Sequence, residues 1–292
     1  IYPDHMQKPR RLYSQNYEDL YLYRLFANVS QGFYVDAGAW HPKDDSVTAI
    51  FYEQGWSGIN IEPLIESFRL LEQSRERDIN LCVALVDDPS ISSVQLLVNG
   101  SDPTTNGQHQ VAEPESRSGR VTRFGPTQTR TVAASTLSEI IRKYTAGAHI
   151  NFLKLDIEGC EYKALLGMSL PELSSESRPE VITLEVTIPD TRLDAPHRAQ
   201  CRKYLLENGY AHLYFDGLND YYCTQSSYSV LSSLMLPPNV FDGFSLSPSR
   251  IFNDREKMAE ASEHAKHLKA ELNEASRLIE ELKQELAIQS DA

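Results

Sequence analysis

The sequence is poor in cysteine, and the few cysteines are dispersed. They are Cys82, Cys160, Cys201 and Cys223. No Cys-x-x-Cys pair is present, so a zinc site or a dithiol redox centre has no support. We therefore expect free, mostly buried thiols in a reducing compartment, and hence a cytoplasmic protein.

Long apolar segments are lacking as well. No run approaches the roughly 18 apolar residues of a membrane-spanning helix, and no charged-then-apolar signal segment is present. We expect no transmembrane segment. The chain begins with Ile1 instead of Met, and its last helical pattern runs almost to Ala292, so we expect a piece of a longer protein.

Basic residues are few, because 28 lysines and arginines stand against 41 aspartates and glutamates, for a formal net charge of -13. An acidic chain repels phosphate backbones, so we expect no nucleic-acid partner. The local exception is the stretch 99–130, which is rich in Gly, Ser, Thr and Pro. Its basic residues are Arg117, Arg120, Arg123 and Arg130. We interpret it either as a mobile solvated loop or as a lid that grips an anionic substrate.

Hydrophobic residues make up 41% of the chain, which is ample for a buried core. Short apolar segments predict strands at 32–36, 58–62, 79–86, 150–156 and 181–185. Helices are predicted at 12–29, 46–54, 136–144, 160–168 and 196–208, and an antiparallel pair at 210–215 and 221–224. Strands that alternate with helices predict an α/β fold, a mostly parallel sheet with helices on both faces.

Acidic residues stand where the predicted parallel strands end. They are Asp36, Glu62, Asp87, Asp156 and Glu185. Open parallel sheets bind their ligands outside the carboxyl ends of the strands. These acids are therefore the first candidates for a binding or catalytic site.

The glycine fingerprint G-x-G-x-x-G of a pyrophosphate site is missing after the first strand, where only Gly38 stands, followed by Ala39. This disfavours a dinucleotide, and with it a nicotinamide-dependent oxidoreductase. S-adenosylmethionine has no phosphate, and its ribose offers two hydroxyls to a carboxylate. Glu62 lies about 20 residues beyond Gly38, the separation of the ribose-binding acid in dinucleotide folds. Asp87 is a candidate partner of the adenine amino group.

The C-terminal segment carries a heptad pattern. Its apolar positions are Met258, Ala261, Ala265, Leu268, Leu272, Ala275, Ile279, Leu282 and Leu286. The spacing alternates three and four residues and predicts a coiled-coil helix over 253–292. One helix cannot bury such a seam, so we expect a homo-oligomer, with packing back on the domain as the alternative. Leu278 beside the seam mildly favours a trimer over a dimer.

Four stretches together resemble the FkbM family of methyltransferases. They are Ser14-Gln15-Asn16-Tyr17-Glu18-Asp19, Gly32-Phe33-Tyr34-Val35-Asp36-Ala37-Gly38-Ala39, Gly55-Trp56-Ser57-Gly58-Ile59-Asn60-Ile61-Glu62-Pro63 and Leu153-Lys154-Leu155-Asp156-Ile157-Glu158-Gly159-Cys160-Glu161. The resemblance spans about residues 12–225, within a domain that we place at 1–245. It implies a class I, Rossmann-like methyltransferase fold, S-adenosylmethionine as the methyl donor and O-methylation of a sugar or similar product. With it, the candidate cofactor-binding residues are Gln15, Asp36, Gly38, Ala39, Glu62, Pro63 and Asp87.

Methyl transfer to a hydroxyl requires alignment of donor and acceptor, and often a base. Asp156 is our first candidate base, and His41 is the second because the unperturbed pKa of imidazole suits a base near neutrality. A structural or sugar-binding role is an equal alternative for His41. Glu158 is a further catalytic candidate, or a helix cap, and Glu185 is a candidate partner of Asp156. Two facing carboxylates could instead hold a divalent cation, although we expect no metal.

Three residues are assigned to the substrate. Trp40 could stack on a sugar face or be buried, and Asn219 and Tyr221 fall where the resembled family has an Asn-containing motif near its site. We expect an enzyme that methylates a hydroxyl of a saccharide or glycan. A methyl cap can stop chain growth in bacterial polysaccharide systems that use a coiled coil as a spacer, which suggests capping of a bacterial surface polysaccharide. The alternative is a catalytically inactive scaffold whose coiled coil mediates assembly.

Overall fold

The computed structural model describes residues 10–99, 110–111, 127–145, 147–188 and 191–251, and single positions at 258, 262, 266, 268, 269, 272 and 277. The chain divides into two compact units, Ile1–Ser245 and Leu246–Ala292. The first unit carries the two larger sheets and the candidate site.

The strands are β1 (Arg10–Leu12), β2 (Phe33–Ala37), β3 (Ser57–Ile61), β4 (Ile79–Leu81), β5 (Ala84–Leu85), β6 (Ser93–Asn99), β7 (Gln110–Val111), β8 (Thr127–Ser135), β9 (Phe152–Leu155), β10 (Val181–Glu185), β11 (Tyr210–Phe215), β12 (Asn219–Thr224) and β13 (Phe244–Leu246). The helices are α1 (Glu18–Leu25), α2 (Ala49–Glu53), α3 (Ile65–Ser74), α4 (Leu137–Tyr144), α5 (Glu161–Met168), α6 (Arg198–Glu207) and α7 (Tyr228–Leu231). Short 3-10 turns lie at Leu170–Glu172, Ser175–Ser177 and Ser232–Leu234.

The main sheet has the strand order β11-β12-β10-β9-β2-β3-β4. The strands β10, β9, β2, β3 and β4 are parallel, whereas β12 is antiparallel to both of its neighbours. From the central pair, β2 and β9, the chain continues outward in opposite directions. Their carboxyl ends therefore form the topological switch point, where open α/β sheets bind ligands. The predicted mostly parallel α/β sheet is confirmed.

Helices cover both faces of the main sheet, as predicted. Because side chains alternate across a strand, Val35 and Leu153 share one apolar cluster with residues of α4, α5 and α6. On the opposite face the rings of Tyr34 and Phe152 stack with their centroids 5.7 Å apart. Phe51 of α2 packs on Phe152 with its ring centroid 4.9 Å away.

The prediction of one strand over 79–86 is wrong, because two separate strands, β4 and β5, occupy this range. β4 ends at Leu81, and β5 leaves the main sheet to pair with β8, where Ala84 lies opposite Ala134. Asp87 thus follows a strand of the second sheet and is exposed. The prediction that Asp87 ends the third parallel strand is corrected accordingly.

Helix α1 is shorter than the predicted helix 12–29. Tyr17 adopts a left-handed conformation with a φ of 65°, and the chain before it includes the strand Arg10–Leu12. The hydroxyl of Ser14 accepts a hydrogen bond from the amide of Asp19 at 3.3 Å and donates one to its carboxylate at 2.7 Å. These bonds fix the beginning of the helix, which needs partners for its first amides.

The second sheet has the order β5-β8-β6-β7 and replaces part of the predicted long loop 99–130. β6 and β8 pair antiparallel from Ser93 opposite Ala133 to Asn99 opposite Thr127. The loop prediction is therefore wrong for 110–111 and 127–130. β8 is rich in Thr, a residue that favours strands despite its polarity. The side chain of Arg130 pairs with Glu66 at 2.7 Å, whereas Arg117, Arg120 and Arg123 lie outside the described residues.

The predicted coiled coil at 253–292 lies almost wholly outside the described residues. The single positions described between 258 and 277 are helical, and the coiled coil stays a prediction. Among the helices in the described ranges, none is both long enough and apolar enough to cross a membrane.

Cysteine does not cross-link this fold. All four cysteines fall in the described ranges, and none of them forms a disulfide. Cys160, Cys201 and Cys223 are buried, as expected from the sequence. Burial raises the pKa of the Cys201 and Cys223 thiols to about 12, so both stay protonated at neutral pH.

Helix α5 packs so closely against the chain after β5 that Gly167 has no room for a side chain. A Cβ at this position would lie 2.1 Å from the carbonyl oxygen of Val86. We expect Gly167→Ala to lower the free energy of unfolding by about 2 kcal/mol or more, because the backbone must shift. Equilibrium urea denaturation measures this loss. The control Gly209→Ala has open space and a φ of 85°, so it should lose only about 1 kcal/mol through its backbone. Equal losses would contradict the packing explanation.

Candidate active site

A cleft opens at the switch point of the main sheet, among the loops that follow β2, β3 and β9. It is narrow, with a volume of about 50 Å³. The lining residues are Gly38, Trp40, Ile61, Glu62, Pro63, Val83, Ala84, Leu85, Leu96, Asp156, Ile157, Glu158 and Cys160. The lining thus combines three acidic residues, Glu62, Asp156 and Glu158, with several aliphatic ones.

The turn after β2 requires a glycine. Gly38 has a φ of 77°, and its amide donates to the carbonyl oxygen of Ile61 at 3.0 Å. A Cβ on Gly38 would lie 1.8 Å from the carbonyl oxygen of Asp156. Only a glycine lets the loops after β2 and β9 approach this closely.

Glu62 is buried at the end of β3, with its carboxylate held by backbone amides. One oxygen accepts from the amide of Trp40 at 3.0 Å and the other from the amide of Leu64 at 2.9 Å. Burial raises the pKa of Glu62 to about 7, although these two bonds lower it. Trp40 also lines the cleft, and its buried indole Nε1 has no hydrogen-bond partner among the described residues.

Lys154 joins the two central strands beneath the cleft. Its ammonium donates to the carbonyl oxygen of Gly38 at 2.8 Å and lies 3.3 Å from a carboxylate oxygen of Asp156 and 3.4 Å from one of Asp36. Burial alone lowers the pKa of Lys154, but the charges of Asp156 and Asp36 outweigh it and raise the pKa. Sequence reasoning assigned Lys154 no role. The available signal was a lysine inside an otherwise apolar strand.

Asp36 lies under the cleft and does not line it. The side chain is buried, and one of its oxygens accepts from the hydroxyl of Thr48 at 2.8 Å. Its other oxygen faces Lys154. In this arrangement Asp36 faces Lys154 and not the cleft, and its role in ligand binding stays a prediction.

Three carboxylates converge beside the cleft. One oxygen from each of Asp156, Glu158 and Glu185 lies within 4.8 Å of the others. Burial, and then the charge of Asp156, raise the pKa of Glu185 to about 10, so Glu185 is protonated at neutral pH and hydrogen-bonds to Asp156. The proton on Glu185 and the ammonium of Lys154 reduce the negative charge of this group without cancelling it. The spacing would also suit a divalent cation, but it does not require one.

The other predicted donor-side residues are less central. Gln15 is exposed and Ala39 is buried behind the turn, and neither lines the cleft, whereas Pro63 does. Asp87 is exposed beyond β5 and also lies outside the lining. His41 is half-buried next to Trp40, with ring centroids 5.9 Å apart, and it too lies outside the lining.

The imidazole of His41 is held in one tautomer. Its Nδ1 accepts from the amide of Asp44 at 2.7 Å, so the proton of the neutral ring is on Nε2. The Asp44 carboxylate lies 3.5 Å from the same Nδ1, but an atom that accepts the amide proton forms no ion pair there. Burial lowers the pKa of His41. This geometry fits the structural alternative better than the role of base.

Asn219 and Tyr221 belong to a second polar group, at the adjoining edge of the sheet. The side-chain amide of Asn219 donates to Glu18 at 3.1 Å and to Asp216 at 3.2 Å. The hydroxyl of Tyr221 donates to Asp216 at 2.8 Å, and its ring is fully buried. This burial leaves Tyr221 no exposed surface for a substrate, and its predicted substrate role stays a prediction. Burial, and then the charge of Asp216, raise the pKa of Glu18 to about 7.

The comparison with family models decides the classification. The model described as Methyltransferase FkbM domain matches residues 36–211, more than half of the chain. The chain belongs to the FkbM methyltransferase family. The resemblance of the sequence motifs to this family is confirmed. A search of curated proteins gives no match.

The matched range separates the two polar groups of this FkbM methyltransferase. Gly38, Glu62, Lys154, Asp156 and Glu185 all fall inside 36–211. Glu18, Asp216 and Asn219 fall outside it. The cleft at the switch point is thus the part that the family match covers.

We expect stability to depend on pH through Glu185. Its pKa rises from 4.5 to about 10 on folding, so folding takes up a proton. This stabilising contribution is complete below about pH 4.5 and is lost as the pH rises through about 10. The free energy of unfolding should therefore fall between about pH 7 and about pH 9. The variant Glu185→Gln should flatten this slope.

Urea denaturation across this pH range measures the slope. The control Glu207→Gln alters an exposed glutamate and should keep the wild-type slope. An unchanged slope in Glu185→Gln would show that Glu185 is ionised in the folded protein.

Proposed function

We propose that this chain is an S-adenosylmethionine-dependent methyltransferase that methylates a hydroxyl of a saccharide or glycan. The observation that carries the proposal is the convergence of Glu62 and Asp156 on one cleft, on either side of the Gly38 turn. Membership of the FkbM family supports methyl transfer. The saccharide acceptor is supported by the resemblance of the sequence motifs.

The residues that line the cleft fit this donor. Each oxygen of Glu62 accepts one amide bond and keeps a lone pair for a ribose hydroxyl. Leu85 and Leu96 offer an apolar wall to an adenine ring. The carboxylates near Asp156 suit the positive charge of a sulfonium. When bound, S-adenosylmethionine supplies a methyl group on an electron-poor sulfonium.

The chain's own residues align and deprotonate the acceptor. Lys154 holds the Asp156 carboxylate in place, and the protonated Glu185 donates to it. A free lone pair of Asp156 can accept the hydrogen of an acceptor hydroxyl, which turns the hydroxyl oxygen toward the donor cleft. Asp156 then holds the proton that leaves the hydroxyl. The Gly38 turn and Lys154 fix the distance between Glu62, on the donor side, and Asp156, on the acceptor side.

The wider proposal includes a capping role on a bacterial surface polysaccharide and a homo-oligomer formed by the heptads. Its support is the heptad pattern from Met258 to Leu286, read from the sequence. The alternative, an inactive scaffold, predicts that the donor cleft binds nothing. Calorimetry separates the two.

S-adenosylhomocysteine should bind to the wild-type protein in isothermal titration calorimetry. Glu62→Gln should weaken this binding by about 1–3 kcal/mol, because a charged hydrogen-bond partner is lost. The control Glu72→Gln, on the exposed side of α3, should bind like the wild type. Absence of binding to the wild type at high micromolar concentrations would favour the scaffold.

Asp156→Asn should keep the affinity for S-adenosylhomocysteine and lower turnover by about 10²–10⁴-fold, because an amide is no base. Transfer of labelled methyl from S-adenosylmethionine to a set of methyl glycosides measures turnover. Asp88→Asn, in an exposed loop, is the matched control. Full activity of Asp156→Asn would remove Asp156 from the role of base.

A further inference from the structure

A second, larger cleft lies in the first unit, beside the beginning of α1 and the β11–β12 turn. It has a volume of about 710 Å³ and is open to solvent. Its lining residues are Asn16, Tyr17, Tyr21, Asp216, Pro238, Asn239, Val240, Gly243 and Phe244. The volume is within the usual range for small-molecule sites. None of these residues lines the first cleft, and only Asp216 belongs to the polar groups described above.

A chain of polar contacts connects this second cleft to the carboxyl edge that carries Asp156. Asp216, in its lining, is joined to Glu18 by the side chain of Asn219. Asn219 is also the backbone neighbour of Glu185 in the β10–β12 pairing. The charge of Glu18 in turn contributes to the raised pKa of Lys154. A continuous polar layer therefore links the two clefts.

The outer wall of the cleft is held by a buried ion pair. The guanidinium of Arg24, in α1, lies 2.5 Å from the carboxylate of Asp242 and also donates to the carbonyl oxygens of Leu236 and Pro237. Asp242 accepts from the amide of Asn239 at 2.6 Å. These bonds fix the segment 236–243 against α1, so the cleft is formed before any ligand binds.

The lining combines aromatic rings with uncharged polar groups. The rings of Tyr17 and Phe244 have centroids 5.6 Å apart, and Asn16 and Asn239 add amides. None of the described lining residues is a lysine, arginine or histidine. Such a surface suits a ligand with one apolar face and several hydroxyls.

Asp216 gives the cleft its charge, but its bonds within the chain are already complete. One oxygen accepts from the amides of Leu218 at 2.8 Å and Asn219 at 2.6 Å. The other accepts from the side chains of Asn219 and Tyr221. A carboxylate with four hydrogen bonds needs no cation, yet it still repels an anion. The electrostatics therefore favour an uncharged ligand.

We propose that this cleft binds the methyl acceptor, and that the acceptor is an uncharged saccharide whose terminal ring lies against Tyr17 and Phe244. The inference rests on the proposed function for its reaction, but it assigns a separate site. It also argues against an anionic acceptor, which is the substrate that an arginine-rich lid at 99–130 would favour.

Saturation-transfer NMR on the complex with S-adenosylhomocysteine tests the proposal. The neutral probes are methyl α-D-glucopyranoside, methyl α-D-mannopyranoside and methyl α-L-fucopyranoside, with glucosamine as the cation and glucose 6-phosphate as the anion. We expect transfer to at least one neutral glycoside and none to the phosphate. Phe244→Ala should weaken binding of that glycoside about tenfold, as expected for a lost aromatic contact.

Two further variants keep the test decisive. Phe241→Ala removes a phenylalanine of the same segment that is 77% exposed and does not line the cleft, so it should bind like the wild type. Val240→Trp places a large ring at the cleft, at a side chain that is 90% exposed, so it should block binding of the glycoside. This variant also provides the test if Phe244→Ala fails to fold. Affinity for S-adenosylhomocysteine should be unchanged in all three.

The outcomes separate the two proposals. Transfer to glucose 6-phosphate or glucosamine alone, no transfer to any neutral glycoside, or transfer that survives both Phe244→Ala and Val240→Trp overturns the acceptor cleft. If the wild-type protein does not bind S-adenosylhomocysteine, the proposed function is overturned instead.

Discussion

The buried ammonium of Lys154 is the interaction on which the candidate site depends. Lys154 lies in β9. Its ammonium contacts the carbonyl oxygen of Gly38, in the turn after β2, and the carboxylates of Asp36 and Asp156. Removal of one partner from a buried ion pair costs about 3–5 kcal/mol, because the other charge is left unpaired. The same contact neutralises Asp36 and orients Asp156. Stability of the sheet centre and geometry of the cleft therefore have one physical origin.

Around this cation, the protein accommodates an unusual density of acids at one edge of the sheet. It does so in three ways: amide bonds hold Glu62, a shared proton joins Glu185 to Asp156, and side chains surround Asp216. Each device reduces the repulsion that several carboxylates would otherwise produce. The resulting edge is negative without being unstable. Such an edge favours a cationic ligand and disfavours an anionic one.

Much of the fold was accessible from local sequence patterns. β10 and α5 lie close to the predicted ranges because their apolar residues follow a clear period. Glu62 and Asp156, which line the cleft, were also accessible to prediction. Strand ends can be read from the sequence, and open parallel sheets bind ligands at the carboxyl ends of their strands. The second sheet was missed because β8 is polar and its partner β6 lies about 30 residues away, and no local period reports such a pairing.

The sequence by itself determined the family, the mostly parallel sheet and the two acids beside Gly38, since each depends on short motifs. Only the tertiary structure decided what the acids touch. It placed Asp87 outside the lining of the first cleft, buried Tyr221, and revealed Lys154 as the link between the strands. The second cleft depends on the ion pair of Arg24 with Asp242, a contact between distant parts of the chain. Such contacts arise from packing and burial, which no single segment encodes.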